Sequence, residues 1–255
     1  MPFQKIQTEK LSQAVVRQIE ELILEGILRP GERLPAEREL ADRMGVSRPS
    51  LREAIAELQD KGLLVSKASA GIFVADLVGT AVAPALAQLF SDHSKAVFDV
   101  IAFRRDVEGL AAERACRYGS DTDLAVVGAI YAKMERAHLK RNPTDESDLD
   151  AEFHLSIIEA SHNVIMIHMM RSMYELVRKG VFYNRQVMFR QKTTRDALLI
   201  QHGAINTALQ ARDASAARAA IVAHLDYVAG SLEDDLKAAE NESIARRRLE
   251  QEHQR

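Results

Sequence analysis

The sequence predicts a mainly α protein in two parts: three helices with one β-hairpin, then an all-α antiparallel helical bundle. Three observations predict this. Apolar residues recur at helical spacing along most of the chain. Strand character is confined to two short runs before Asp76. The breaks between periodic segments are short and carry Gly, Pro, Asn or Asp. A chain of 255 residues is long enough for two domains with their own cores.

The elements follow in order. Thr8 is placed to cap a first helix, TEKLSQAVVRQIEELILEGIL, whose Leu11, Val15, Ile19, Leu22 and Ile23 share one face. RPGERLP breaks the pattern. PAERELADRMG is a short second helix, with Pro35 at its first position and Gly45 just past its end. Ser47 caps a third helix, SRPSLREAIAELQDKG, which Gly62 ends. LLVS from Leu63 and IFVA from Ile72 form a hairpin around KASAG. Helical segments follow near 82–92, 95–118, 121–141, 145–161, 163–185, 193–211 and 213–240. The charged tail ENESIARRRLEQEHQR either extends the last helix or frays. The expected domains are 1–76 and 77–240 with a tail of 241–255, joined at ADLVGTA.

Composition excludes several classes. Apolar residues at 47% and charged residues at 28% describe a globular chain. The single cysteine, Cys116, excludes an intramolecular disulfide framework and suits a reducing compartment. Neither a signal peptide nor a membrane span of about 20 apolar residues is recognisable, so a cytoplasmic protein with no membrane partner is expected. The net charge of −3 provides no general attraction for nucleic acid, so DNA binding would have to come from a local arrangement.

The first part contains such an arrangement. Two short helices joined at Gly45, then a hairpin, describe a winged helix-turn-helix. On the third helix Leu51, Ile55 and Leu58 form the stripe that faces a core, which leaves Arg48 and Arg52, four apart, on another face. Ser47, Arg48, Pro49 and Ser50 lie at the end that such a helix points into the major groove. Arginine forks match guanine acceptors, and hydroxyls suit phosphate. Arg38, one helix earlier, is placed for a backbone contact. Pairing of arginines with Glu32, Glu37, Glu39 and Asp42 is the competing reading, most natural for Arg33 and Arg43.

RPGERLPAERELADRMGVSRPSLREAIAELQDKGLL, followed by GIFVA, resembles the DNA-binding domain of the GntR family of bacterial transcription regulators, over most of residues 8–76. The resemblance implies that Arg38, Arg48 and Arg52 contact DNA and that the wing tip enters the minor groove. The wing of that family carries G-x-G. Here it reads Ser69-Ala70-Gly71, so only Gly71 matches.

The second part contains LDAEFHLSII, which puts Asp150 and His154 one helical turn apart, close enough to chelate one ion. His202 and His224 stand in otherwise apolar helical segments, LLIQHGAINTALQ and AAIVAHLDYV. Asp213 is a good helix start between them, so the two lie on adjacent antiparallel helices that allow them to meet. An ordinary buried histidine is the competing reading for each one alone. Of the other histidines, His93, His138 and His253 read as surface residues, and His162 and His168 are ambiguous.

Residues from about 95 to 230 resemble the all-helical effector domain of the FadR branch of GntR regulators. The motifs are FRRDVEGLAAERA, DAEFHLSIIEASHN, QHGAINTAL and ARAAIVAHL. That resemblance implies a divalent ion, Zn, Ni or Mn, held by Asp150, His154, His202 and His224. It also implies an effector carboxylate at Arg104 of the R-x-x-x-E pattern, although Arg104 and Glu108 also have the spacing of a simple ion pair. Asn163 is implied either near the effector or as a helix cap. The expected protein is a homodimeric repressor that binds a two-fold related operator and senses a small hydroxy- or oxo-acid, in type like lactate, pyruvate or glycolate responders. Two alternatives stand beside it: a regulator whose signal is the ion itself, and a helical-bundle metallohydrolase. The hydrolase needs a general base near a bound water. Glu152 and Glu159 both fall off the Asp150–His154 stripe, and no nucleophile elbow or phosphate loop is present. An enzyme is therefore not expected.

Overall fold

The computed structural model describes residues 10–68, 70–75, 93–178 and 192–253. The chain divides into two compact units, Met1–Val82 and Ala83–Arg255, and the division falls among residues that the structure does not describe. So do Thr8, Ser69, the joint from Asp76 onward, the expected helix at 82–92 and the end of the 163–185 segment.

The first unit is a winged helix-turn-helix. Helix α1 (Leu11–Leu24) buries Val15, Val16, Ile19 and Ile23, and packs on α3. Burying side chains of this size stabilises the unit by about 1.5–3 kcal/mol each. Helix α2 (Glu37–Met44) stops at Gly45, whose left-handed φ of 65° lets the Val46 N–H turn back to the Ala41 carbonyl at 3.0 Å. Pro35 stands ahead of this helix rather than at its first position, and Ala36 occupies the cap. Helix α3 (Arg48–Asp60) is capped by Ser47, whose Oγ accepts the Ser50 N–H at 3.3 Å. Its buried residues are Leu51, Ala54, Ile55 and Leu58. Strands β1 (Leu64–Lys67) and β2 (Gly71–Val74) pair antiparallel, with Leu64 opposite Val74 and Lys67 opposite Gly71.

RPGERLP does more than break a helix. Leu34 N–H donates to the Ile72 carbonyl and Val74 N–H to the Glu32 carbonyl, both at 2.9 Å, so the segment covers the free edge of the wing. Gly71, at φ 109°, is needed here twice over: a Cβ would be strained by the backbone and would lie 3.1 Å from Arg33 Nε.

The second unit is all-helical among its described residues: α4 (Ser94–Tyr118), α5 (Asp121–Lys140), α6 (Pro143–Ala160), α7 (Val164–Arg178), α8 (Lys192–Gln210) and α9 (Ala214–His253). Its helix starts are chemically explicit. Ser120 and Asp123 form a reciprocal capping box on α5. Asn142 caps α6 with Pro143 in its first turn, so this helix opens two residues before the expected Asp145. Helix α4 lies along α9, α8 packs on α5 and α9, and α6 packs on α4 and α5. Phe153, Ile157, Ile205, Leu209, Ile221 and Leu225 fill the space between them. The charged tail is a helical extension. Helix α9 runs on to His253 although its last buried residue is Val228, and Arg246 to Glu242 at 2.8 Å is a pair of the i, i+4 kind that supports an exposed helix. No helix among the described residues is long and apolar enough to cross a membrane.

Candidate metal centre and recognition surface

The bundle brings together the four residues that the sequence singled out. Asp150 and His154 come from α6, His202 from α8 and His224 from α9, and one ligand atom of each lies within 4.8 Å of all the others. All four are buried. His202 Nε2 is 3.0 Å from Asp150 Oδ1 and 3.3 Å from His154 Nε2, and His154 Nε2 is 3.8 Å from Asp150 Oδ1. Neighbouring ligands on one ion with bonds of about 2.0–2.2 Å stand about 3–3.5 Å apart. The donor set of three imidazoles and one carboxylate therefore suits a divalent ion in chemistry, and the two shorter separations, those from His202 Nε2, match neighbouring ligands of one ion.

Second partners fix which ring nitrogen faces the cluster. His224 Nδ1 meets Gln201 Oε1 at 2.9 Å. His154 Nδ1 meets Glu108 Oε2 at 2.6 Å. A ring that donates from Nδ1 keeps the Nε2 lone pair for the centre. Phe153 packs beside the site with its ring nearly perpendicular to those of His154 and His202, at centroid distances of 5.9 and 5.2 Å.

Glu108 is itself held. Arg104 Nε donates to its Oε1 at 2.8 Å, the Tyr174 hydroxyl donates to the same oxygen at 2.7 Å, and Arg104 Nη2 reaches the Tyr174 oxygen at 2.7 Å. Arg104 is only 2% exposed. Burial pushes the Glu108 carboxyl up, but the charge of Arg104 and the bonds from His154 and Tyr174 outweigh it, and hold the group well below the carboxylate range. The R-x-x-x-E pattern is thus an ion pair, and one that also braces a candidate ligand, His154. Sequence reading gave Glu108 only as a partner for Arg104 and missed Tyr174 and Gln201. The missed signal lay in α4: Ile101, Arg104, Glu108, Ala112 and Ala115 recur at helical spacing and all are buried.

The remaining candidates fall elsewhere. Asn163 Oδ1 accepts the Met166 N–H at 3.1 Å, which gives it the capping role on α7. His138, expected on the surface, is instead mostly covered: its Nε2 is 3.0 Å from Asp196, and Arg195 donates to its carbonyl at 2.7 Å while also pairing with Glu146. His162 pairs with Asp123 at the surface at 2.8 Å. Glu152 pairs with Lys133 at the surface, and Glu159 with the largely buried Arg171, so both side chains are engaged by partners other than the four candidate ligands.

On the first unit, Arg38, Ser47, Arg48, Pro49 and Arg52 are exposed and Ser50 is half-buried. Ser47 and Ser50 hydroxyls meet at 2.9 Å at the start of α3. Arg52 Nε donates to Glu37 Oε2 at 2.7 Å, and Arg48 Nη2 stands 3.8 Å from the same oxygen. Arg43 pairs with Glu39, as its spacing suggested.

Comparison with known proteins agrees with this division. The family described as bacterial regulatory proteins, gntR family, matches residues 11–74, and the FCD domain matches residues 99–227. The chain is 34% identical to the "Putative L-lactate dehydrogenase operon regulatory protein" of Escherichia coli (strain K12), over 86% of this chain and 85% of that one. It is 29% identical to the "Glc operon transcriptional activator" of the same organism, over 90% and 92%. A solved structure of Streptococcus agalactiae GntR shares the fold, with a TM-score of 0.52 at 22% identity over 86% of this chain and 98% of that one.

Proposed function

Because the chain belongs to the GntR family of bacterial transcription regulators and carries an FCD domain, we propose that it is a metal-dependent sensor of a small hydroxy- or oxo-acid. It is a regulator and not an enzyme. It binds a two-fold related operator as a homodimer, and the acid releases it, so that it acts as a repressor. The observation that carries the sensor reading is the buried cluster of Asp150, His154, His202 and His224 with a guanidinium one carboxylate away.

A divalent ion held there would supply open positions for the carboxylate of an acid and for its neighbouring oxygen. The chain does the rest. Glu108 and Gln201 orient His154 and His224. Asp150 and Glu108 place two negative charges against the positive charge of Arg104 and that of the ion, which leaves a net positive centre suited to an anion. The name of one E. coli relative, which refers to an L-lactate dehydrogenase operon, supports a small acid as the class. On the first unit, Arg48 and Arg52 read bases, Arg38, Ser47, Pro49 and Ser50 contact the backbone or the groove edge, and Gly71 lets the wing approach DNA. Their exposure on the face opposite the α3 core supports this.

A thermal-shift screen of small carboxylic acids, with and without a chelator, tests the reading. A ligand of the folded protein raises its melting temperature by mass action. At least one hydroxy- or oxo-acid should raise Tm, and the chelator should abolish the rise. If an acid binds equally in chelator, the metal has no part in sensing. If metal alone changes operator affinity and no acid adds to it, the ion itself is the signal.

A further inference from the structure

We infer that Glu37 is a positioning residue for sequence discrimination: its carboxylate aims Arg52, and with it Arg48, at guanine while weakening general attraction to DNA. This rests on the reading of Arg48 and Arg52 as base contacts.

One carboxylate oxygen serves both arginines. Glu37 Oε2 is 2.7 Å from Arg52 Nε and 3.8 Å from Arg48 Nη2. Both arginine side chains are well exposed, at 63% and 58%, whereas Glu37 is at 32%. Long exposed arginines otherwise sample many rotamers and lose that freedom on binding. A guanidinium also has two donor edges. With Nε occupied by Glu37, the two Nη groups of Arg52 remain together at the free end. That is the edge that meets guanine O6 and N7 side by side.

The charge argues in the same direction. A carboxylate on the face that meets phosphates opposes binding to any duplex. It does not oppose the geometry of a correct base contact. Glu39, in the same first turn of α2, has a different role: it pairs with Arg43 of its own helix and touches neither arginine of α3. It provides a control of equal charge in the same first turn of the helix.

The test uses the full-length protein and a pool of duplexes randomised over about 20 base pairs, long enough for two half-sites a helical turn apart. The best selected duplex, the same duplex with each guanine of its half-sites exchanged for adenine, and a random duplex are then titrated at one salt concentration. Glu37→Ala should lower guanine-over-adenine discrimination on the order of tenfold and raise affinity for the random duplex. Glu37→Gln, which keeps an acceptor oxygen, should retain more of the discrimination, and Glu39→Ala should change neither quantity. Arg52→Ala reports on the premise. If it discriminates as well as the parent, the base-reading assignment itself fails. If Arg52→Ala loses discrimination and Glu37→Ala keeps it, the inference about Glu37 is overturned. A fall in affinity for both duplexes alike in Glu37→Ala would assign the residue to folding and also overturn it.

Discussion

Glu108 Oε2 lies 2.6 Å from His154 Nδ1, deep in the bundle, although the two residues are far apart in the sequence. This contact ties two features that the sequence presents as separate: an Arg-x-x-x-Glu pattern on α4 and an Asp-x-x-x-His pair on α6. It makes Glu108 the orienter of a candidate ligand and Arg104 the counter-charge of that orienter.

Glu108→Gln should therefore weaken divalent-ion binding without touching any of the four ligands. Loss of a carboxylate behind a ligating imidazole costs about 10–100-fold in metal affinity. Titration against a chelating dye measures it, and an affinity equal to the parent's would remove Glu108 from the centre.

Gly203 follows His202 directly, and a Cβ there would lie 2.7 Å from the Tyr131 hydroxyl oxygen and 3.3 Å from Tyr131 Cζ. Gly203→Ala should destabilise the second unit by about 1–3 kcal/mol through overpacking. Adding Tyr131→Phe removes the atom in closest conflict and should recover part of the loss. Denaturant melts of the single and double variants check this. A double variant no more stable than Gly203→Ala would place the conflict elsewhere.

Asp123 belongs to the capping box of α5 and also accepts from His162. Burial raises its carboxyl, but the bonds from Ser120 and His162 prevail and hold it below the ordinary aspartate range. A carboxyl depressed by folding contributes stability above its unfolded pKa, and that contribution is lost as pH falls through the folded value. Asp123→Asn should cost stability at pH 7 and progressively less below about pH 4. Thermal melts at the two ends of that range follow it; a cost that stays constant with pH would contradict the assignment.

Much of this fold is written in local patterns. Val15, Ile19 and Ile23 on α1, and Leu51, Ile55 and Leu58 on α3, recur at helical spacing, and each faces a core. Gly45 ends α2 where a left-handed residue is required. The candidate ligands were legible because a histidine in an apolar helix is conspicuous and Asp150 stands one helical turn from His154. What stayed hidden depends on contacts between elements distant in sequence. His138 reads as a surface residue, yet Arg195 and Asp196 of α8 fold over it. Glu37 reads as one acid among several near the arginines, and only the packing of α2 on α3 selects it as the partner of Arg52. The continuation of α9 to His253 was open in the sequence because an exposed charged segment has no buried face to announce it.

The central claim is that Asp150, His154, His202 and His224 hold one ion on which sensing depends, and the metal content of the full-length protein and of His202→Ala tests it most directly. After loading with Zn, Ni or Mn and desalting, elemental analysis should find about one ion per chain in the parent and a small fraction of that in His202→Ala, which should still bind the selected duplex. A parent that retains no ion, or a His202→Ala protein that retains a full complement, would contradict the claim.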